Sequence, residues 1–229
     1  MLPRSIETLV DQQARRWQLV REARTSAATA PVVTISHQHG AGGAEVVRRL
    51  AQELDLDVFD REIVSEIAES THLSERVVAT LDERARAWLA DWLQSLATHD
   101  FLSQSEYRYQ LTRVVGAIAR HGGAIIVGHG AHLVLGEGEA LRVQLVAPLS
   151  ARVDAVRRRS GRPEREARRE VEAVEAGRRA FVMQHFHVDL EDPARFDMIL
   201  NTARLGTAGS VAAIRGALAT RIDGGRDAA

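Results

Sequence analysis

The 229-residue sequence contains no cysteine and no lysine, and aromatic residues make up only 4% of it. Without cysteine, disulfides and thiolate metal sites are excluded. Without lysine, all 30 basic side chains are arginine, so no lysine can neutralise a phosphate. No apolar run has the length that a membrane helix needs, and residues 1–7 lack the basic start and apolar stretch of a secretory signal. We therefore expect a cytoplasmic protein that contacts no membrane.

The composition that is present suits one main globular domain. Hydrophobic residues make up 45% of the chain and charged residues 27%, which is enough to bury a core without disulfides or a structural metal. The net charge of -1 conceals an asymmetry, because arginines crowd residues 152–179 while residues 55–83 are mostly acidic. With the charges separated in this way, a nucleic-acid-binding surface is not expected.

The first residues form an arm that precedes the main domain. Apolar residues recur at helical spacing from about Arg4 to Arg24, and small residues follow at 25–30, so we predict an amphipathic helix and a linker. An isolated helix of this length needs a partner for its apolar stripe, either the same domain or a second subunit. We favour a homodimer contact. The main domain then spans residues 31–222, and residues 223–229 are predicted to be a disordered tail.

Strands alternate with helices throughout the main domain. Short β-branched or wholly apolar runs predict strands, whereas apolar residues at a helical period predict helices between them. This order predicts an α/β fold with a mainly parallel sheet covered by helices on both faces. Such sheets bind ligands at the carboxyl ends of their strands. Predicted strands lie at residues 31–36, 57–59, 124–127, 141–146 and 198–200, and two arginine-rich helices lie at 150–160 and 163–185.

Several local signals refine the predicted helix ends. Ser74 has the residue type of a helix cap, and the segment from Ser103 to Glu106 has the capping-box pattern. The glycine pair at residues 122–123 is expected to end the helix that follows this box.

Residues 37–43 form a glycine-rich loop between the first predicted strand of the main domain and the next helix. Such a loop binds phosphate because glycines let successive backbone N–H groups turn inward, while the following helix presents its positive end. The pattern GxxxxGK[ST] would place its first glycine at residue 37, its lysine at 43 and its hydroxyl at 44, so only Gly42 matches. On this motif alone, a phosphate loop and a structural turn are equally good interpretations.

Several ordered blocks of the sequence resemble the cytidylate kinase-like family. The first block, residues 33–43, is similar to the family's typical start, I-S-R-Q-Y-G-S-G-G-R-E, which also lacks the lysine. Near the other end, residues 175–181 resemble the family's D-x-x-R lid element, and residues 196–202 resemble its Y-D-L-x-x-N-T strand. Further blocks with the family's pattern lie at residues 58–64, 126–131 and 145–148.

The resemblance implies a P-loop nucleoside monophosphate kinase, with a three-layer fold and a helical lid around residues 150–185. It implies phosphoryl transfer from ATP, with Mg²⁺, to a (deoxy)cytidine monophosphate-like acceptor. The lid arginines Arg152, Arg178 and Arg179 would be catalytic. Asp60 and His129 would bind the acceptor. The ATP phosphates would lie against the loop residues His37, Gln38, His39, Gly40, Ala41, Gly42 and Gly43.

Three departures from the family reduce the predicted charge along the phosphate path. The family usually has arginine where this chain has His37, Ala44 and His129, and a neutral histidine cannot replace arginine's permanent fork of donors. One alternative is therefore a catalytically impaired sensor or scaffold that binds a nucleotide without transferring phosphate. Another is a structural dimerising domain with a poorly formed loop. Glu175 also replaces the usual aspartate of the lid element, and its longer side chain is expected to shift the pairing geometry.

Simpler roles stay open for the individual candidates. Asp60 precedes a predicted helix, so it can cap that helix, bind the acceptor's sugar or base, or hold Mg²⁺ through water. Most arginines of the lid can equally form a solvated helical face paired with glutamates. The histidine pairs lack an accompanying cysteine or an HExxH helix, so we predict no metal ligands in the protein itself.

Overall fold

The computed structural model describes residues 6–23, 30–97, 105–136 and 138–224. In chain order the elements are α1 (Ile6–Ala23), β1 (Val32–His37), α2 (Gly43–Leu54), β2 (Asp57–Phe59), α3 (Arg61–Glu69), α4 (Thr71–Ala79), α5 (Glu83–Ala97), α6 (Glu106–His121), β3 (Ala124–Val127), α7 (Ala131–Val134), β4 (Leu141–Val146), α8 (Leu149–Ser160), α9 (Glu164–Phe186), β5 (Met198–Asn201) and α10 (Thr202–Gly224). A short 3₁₀ turn, Pro193–Arg195, leads into β5.

The strands form one parallel sheet in the order β2-β3-β1-β4-β5. β1 lies in the middle, where Val33 pairs with Ile125 of β3 and with Leu141 of β4. Almost all of its side chains are buried, which suits the apolar and β-branched run that forms it. The predicted parallel α/β sheet is confirmed, and the predicted strands are present close to their expected bounds.

Two hydrophobic clusters cover the two faces of this sheet. Successive side chains of β3 point to opposite faces of the sheet. Ile126 belongs to one cluster and Ile125 to the other, and both are fully buried. Helices α1 and α3–α6 supply most of the first cluster, whereas α2 and α10 supply the helical side of the second. Burial of each large aliphatic side chain contributes about 1.5–3 kcal/mol. The sheet is therefore the middle layer of the predicted three-layer fold.

The helices α8 and α9, which we call the lid hairpin, have a small core of their own. Val153 and Val156 of α8 pack on Ala167 and Val171 of α9, apart from the two clusters on the sheet. Gly161 ends α8 in the left-handed conformation, with a φ of 69°, and begins the turn to α9. The last turns of α9 instead join the cluster formed by α3–α6. The predicted pair of arginine-rich helices is confirmed.

The N-terminal helix α1 packs on the main domain. Its Trp17 stacks on His121 of α6, with ring centroids 3.9 Å apart, and lies 5.8 Å from the ring of Phe59. The predicted helix is thus present over residues 6–23, and its apolar stripe covers the chain's own core. Residues 24–29, most of the predicted linker, lie outside the described residues. The homodimer stays a prediction.

One predicted helix cap is wrong. Ser74 lies inside α4, where it is buried and its hydroxyl donates to Oε1 of Gln110 at 2.7 Å. Ser70 caps this helix instead, with its hydroxyl accepting the N–H of Leu73 at 3.3 Å. The two serines stand one helical turn apart in the chain, and the buried contact with α6 decides which of them is inside the helix.

Other helix ends agree with the sequence or lie outside the described residues. Gly122 ends α6 with a φ of 70°, as predicted. That helix begins at Glu106, but Ser103 lies outside the described residues, so its capping role stays a prediction. α10 runs to Gly224, into the predicted tail, of which residues 225–229 are not described. Across the described ranges, no helix is long and apolar enough to cross a membrane.

Candidate functional site

The glycine loop joins the end of β1 to the start of α2 at the carboxyl edge of the sheet. It makes a tight turn in which the N–H of Ala41 donates to the carbonyl of Gln38 at 3.0 Å. Gly40 and Gly42 have φ values of 84° and 73°, which residues with a side chain rarely adopt. A Cβ on Gly40 would also lie 2.5 Å from the carbonyl oxygen of Arg152. The loop therefore packs directly on the start of α8.

Gln38 links the loop to the neighbouring strand by hydrogen bonds. Its N–H donates to the carbonyl of Leu145 in β4 at 3.0 Å, and its side-chain Oε1 accepts the N–H of Ala147 at 3.1 Å. Both the backbone and the side chain of one residue thus hold the loop at the end of β4. Gln38 positions the loop from this side.

The ring of His37 lies over Gly43, the first residue of α2. A Cβ built on Gly43 would stand 2.3 Å from Cγ of His37, closer than real atoms approach. A lysine at position 43 would require the ring to move, which gives a structural reason for its absence. Burial lowers the pKa of His37, and the charge of nearby Arg178 also lowers it. The ring is therefore mostly neutral at pH 7 and offers a phosphate hydrogen bonds rather than charge.

A cavity of about 360 Å³ opens between the glycine loop, the start of α3, the loop after β3 and the side of α9. It lies at the carboxyl ends of β1, β2 and β3, where a parallel sheet predicts a ligand crevice, and its volume is typical of small-molecule sites. Of the predicted site residues, it brings together His37, His39, Asp60, His129 and Arg178. The other lining residues are Ser36, Arg61, Glu62, Val127, Gly128, Gly130, Val174, Phe181, Val182 and Leu190.

Three consecutive charged residues at the start of α3 line the cavity. Asp60 caps the helix, because its Oδ1 accepts the N–H groups of Glu62 and Ile63 at 3.1 and 3.0 Å. Its second carboxylate oxygen takes no part in the cap. Arg61 and Glu62 continue the cavity wall from the same turn. No sequence motif singles out Arg61, although it directly follows Asp60, a predicted site residue.

His129 holds the start of α3 in place from the loop after β3. It is buried and has a φ of 52°, between two glycines that also have positive φ. Its Nε2–H donates to the carbonyl oxygen of Arg61 at 2.6 Å, and the hydroxyls of Ser65 and Tyr107 lie 3.4 and 3.5 Å from its ring nitrogens. Burial lowers the pKa of His129, so the ring is mostly neutral at pH 7. His129 therefore lines the cavity as a neutral, hydrogen-bonded ring and adds no positive charge to it.

Arg178 and Glu175 of α9 form a buried ion pair against the glycine loop. The guanidinium donates through Nη1 to both oxygens of Glu175 at 2.9 Å, and through Nη2 to Oγ of Ser36 at 2.9 Å. The Glu175 carboxylate also accepts the backbone N–H of His39 at 2.7 Å. Nearer the start of α9, Oε1 of Glu170 lies 2.9 Å from Nε2 of His39. The lid hairpin is thus closed on the loop through carboxylates.

The other two predicted lid arginines do not line the cavity. Arg152 donates from Nε to the carbonyl of Ala147 at 3.0 Å, and its buried Nη1 has no hydrogen-bond partner among the described residues. Arg152 nevertheless stands directly beside the glycine loop. Arg179 forms an ion pair with Glu191, with Nη2 2.5 Å from Oε1, and both side chains are about half exposed. The catalytic roles of Arg152 and Arg179 stay predictions.

No group of three or more histidine or acidic residues that could hold a metal ion comes together in the part of the chain that the structure describes. Asp60 and Glu62 nevertheless both line the cavity. One or two carboxylates are the usual protein contribution to a Mg²⁺ ion that is bound mainly by substrate phosphates. The cavity therefore suits a metal that enters with a nucleotide.

A central parallel sheet, a glycine loop that leads into a helix and a helical hairpin over that loop define the P-loop kinase fold. A crystal structure of an uncharacterized protein from Eubacterium ventriosum ATCC 27560 has the same fold, with a TM-score of 0.65 at 14% sequence identity. That similarity covers 83% of this chain and 98% of that chain. The chain belongs to the cytidylate kinase-like family, whose sequence profile matches residues 32–204, well over half of its length.

A curated relative points to the same class of protein. A cytidylate kinase from Ignicoccus hospitalis (strain KIN4/I / DSM 18386 / JCM 14125) is 28% identical over 184 residues, which cover 80% of this chain and 96% of that protein. The family and this relative together support a nucleotide kinase, and the resemblance carried by the sequence blocks is confirmed. The helix α1 lies outside the residues that the family profile matches.

Proposed function

We propose that the protein transfers the terminal phosphoryl group of ATP to a pyrimidine nucleoside monophosphate such as CMP or dCMP. The observation that carries this proposal is the cavity, which joins the glycine loop and Arg178 to Asp60 and Arg61. Membership of the cytidylate kinase-like family and the relative named cytidylate kinase support the choice of acceptor.

The ATP phosphates are expected at the glycine loop. Backbone N–H groups of the loop and the N-terminal end of α2 attract negative charge there. Arg178 would donate to the phosphoryl group in transit, and the unpaired Nη1 of Arg152 would supply a further donor beside Gly40. Neutral His37 would add a hydrogen bond without adding charge. Positioning and charge neutralisation are most of what phosphoryl transfer requires from a protein.

The acceptor is expected between the start of α3 and the apolar side of α9. Arg61 would hold the acceptor phosphate, and Asp60 would face its sugar or base. Phe181, Val182 and Leu190 give an apolar wall against which a pyrimidine ring would pack. In the reaction, an oxygen of the acceptor phosphate forms a bond to the γ-phosphorus of ATP while the bond to the β–γ bridging oxygen breaks, and ADP leaves.

Mg²⁺ would enter the cavity on the ATP phosphates, where its chemistry is to neutralise their charge. Asp60 caps α3 through one oxygen only, which leaves the other free to hold a water molecule of the metal. Glu62, in the first turn of α3, also lines the cavity and would add a second carboxylate on this side.

Release of ADP tests the proposal. Purified protein, ATP and Mg²⁺ are incubated with a panel of nucleoside monophosphates, and ADP is measured with a coupled assay. We expect release that depends on CMP or dCMP and exceeds the release with purine monophosphates. Release that never rises above the acceptor-free rate across the panel would overturn the proposal.

A nucleotide sensor of the same fold is the second candidate. It is favoured by the reduced charge at three positions, because His37 and His129 are rings with lowered pKa values and Ala44 carries only a methyl group. Calorimetric titration with ATP and with CMP separates the two candidates. Tight binding without turnover would favour the sensor, and the absence of binding by either nucleotide would refute both.

A further inference from the structure

Glu175 accepts hydrogen bonds from donors that the proposed function assigns to phosphate. Its Oε1 accepts the N–H of His39 in the glycine loop at 2.7 Å, and both of its oxygens accept from Nη1 of Arg178 at 2.9 Å. A loop N–H and a nearby arginine are the two kinds of donor that hold nucleotide phosphates. The Glu175 side chain is only 7% exposed, so these contacts replace water as the partners of its carboxylate.

We propose that Glu175 is an internal anion that latches the lid hairpin onto the glycine loop, and that nucleotide phosphate must displace it. This inference rests on the proposed function for the identity of the phosphate, and it adds a regulatory step at the same site. Binding exchanges one anion for another on the same donors. The nucleotide must therefore break the contacts of Glu175 in order to bind. Its affinity for the protein is lower than it would be if the loop N–H and Arg178 had no internal partner.

The length of the side chain decides whether the latch can form. Glu175 stands where the resembled family has the aspartate of its D-x-x-R element. An aspartate at this position would keep its i, i+3 relation to Arg178, because helix geometry alone sets that relation. It would be shorter by one C–C bond, about 1.5 Å, and would fall outside hydrogen-bond distance of the His39 N–H. The extra methylene group of glutamate is what lets the carboxylate at position 175 reach the His39 N–H.

The lid hairpin moves as a unit only as far as Gly177, because the last turns of α9 pack in the cluster formed by α3–α6. Its small core, around Val156 and Val171, does not merge with the clusters on the sheet. Within α9, Gly177 lies between Glu175 and Arg178, and no side chain of the described residues beyond its chain neighbours lies within 4 Å of the position that its Cβ would take. A glycine in mid-helix weakens the helix locally. When the latch opens, the part of the lid hairpin before Gly177 carries Glu175 away, while Arg178, which follows Gly177 in α9, stays at the cavity wall.

Glu170 gives the lid a second and weaker contact with the loop. Its Oε1 lies 2.9 Å from Nε2 of His39, and its other oxygen pairs with Arg162 at 3.1 Å. Both the Glu170 and the His39 side chains are partly open to solvent, which screens the interaction between them. Glu175 is therefore the residue whose substitution should release the lid.

The lid position and the phosphate affinity are measured on the full-length protein. Because the chain has no cysteine, Arg165→Cys on α9 and Ala203→Cys on α10 place two spin labels at exposed positions. Pulsed EPR then reports the distance between the two labels, and so between α9 and α10, in the absence of nucleotide. Calorimetry with inorganic tripolyphosphate reports the affinity of the loop for phosphate, independent of any base or acceptor.

Three substitutions on the same helix are compared with the wild-type protein. Glu175→Gln removes the charge and keeps the shape, and Glu175→Asp keeps the charge and shortens the side chain. Glu172→Gln is the matched control, because that side chain is 57% exposed and pairs with Arg168 at 4.0 Å, away from the glycine loop. Each substitution is made with and without the pair of labels.

We expect both Glu175 variants to lengthen or broaden the label distance without nucleotide. They should bind tripolyphosphate about tenfold more tightly than the wild-type protein, the size of one charge-assisted hydrogen bond. Glu172→Gln should change neither quantity. Unchanged distances and affinities in both Glu175 variants would overturn the proposal, as would an opened lid without a gain in affinity. ADP release with CMP is measured separately, so failure of the proposed function would leave these two readouts intact.

Discussion

The ring of His37 covers the α-carbon of Gly43, so closely that a Cβ on Gly43 would lie 2.3 Å from Cγ of the ring. This contact joins the last residue of β1 to the first residue of α2 and closes the glycine loop without a lysine. The ring supplies packing, and the backbone of the loop and of α2 supplies the attraction for anions. Under the proposed function, the positive side-chain charge for the phosphates would come from arginines such as Arg178, which lines the cavity.

Substitution of Gly43 by alanine tests this contact. The added methyl group must displace the His37 ring, so Gly43→Ala should lower the free energy of unfolding by about 1–3 kcal/mol, the usual effect of overpacking. Urea unfolding measures the change. Gly216→Ala in α10, where no side chain of the described residues beyond its chain neighbours lies within 4 Å of the Cβ position, should be neutral or slightly stabilising. In a His37→Ala background the effect of Gly43→Ala should largely disappear, and an effect that persists there would contradict the contact.

Arg178 should be necessary for turnover. Arg178→Gln removes the guanidinium group that lines the cavity beside the glycine loop, and kcat for phosphoryl transfer to CMP should fall by roughly 10²–10³-fold. Circular dichroism and urea unfolding check that the variant is folded. Arg168→Gln, in the same helix, should keep the wild-type kcat, since Arg168 does not line the cavity and pairs with Glu164 and Glu172 at 3.8 and 4.0 Å. Equal turnover in the two variants would remove Arg178 from the site.

Acid should destabilise the protein through His132. Burial, followed by the charges of nearby arginines, lowers the pKa of His132 to about 3 from an unfolded value of 6.5. Between these values the unfolded chain binds a proton that the folded chain rejects. Stability due to this group is therefore complete above pH 6.5 and falls as the pH decreases, by up to about 1.4 kcal/mol per pH unit.

Urea unfolding near neutral pH and at about pH 5 measures this loss. His132→Phe keeps a ring against Phe196, which lies 4.5 Å from the His132 ring, and removes the titrating group. The variant should lose less stability than the wild-type protein over the interval. His72→Gln, at an exposed position on α4, should follow the wild type. If His132→Phe also follows the wild type, another group carries the acid sensitivity.

The stack of Trp17 on His121 should hold α1 to the main domain. Trp17 is buried, so Trp17→Ala should lower the free energy of unfolding by about 3 kcal/mol or more. Leu19 on the same helix is 66% exposed, and Leu19→Ala should change stability by less than about 0.5 kcal/mol. Urea unfolding followed by tryptophan fluorescence measures both. Similar values for the two variants would mean that α1 adds little to the folded domain.

The sheet could be predicted from the sequence because its signals are local. A run such as Ile125 and Ile126, apolar on both faces, is what a strand covered by two layers of helices requires. Helix ends were harder, because Ser70 and Ser74 are the same residue type one turn apart. The hydrogen bond of Ser74 with Gln110 of another helix, and that of Ser70 with the Leu73 N–H, distinguish the buried position from the cap.

The candidate site was predictable where it is continuous in the chain. The glycine loop and Asp60 follow strands directly, so the sequence places them at the edge of the sheet. The contact between His39 and Glu175 joins residues 136 positions apart, and no local pattern indicates it. The role of His129 was equally hidden, since its ring nitrogen meets the backbone carbonyl of Arg61 rather than any side chain that the sequence displays.

Formation of CDP tests the central claim most directly. Purified protein is mixed with ATP, Mg²⁺ and CMP, and the phosphorus resonances are followed by ³¹P NMR. The resonances of ADP and CDP should grow as those of ATP decline, and this growth should be at least about a hundredfold slower in Arg178→Gln. ATP resonances that stay unchanged with the wild-type protein, under conditions where calorimetry shows both nucleotides bound, would contradict phosphoryl transfer.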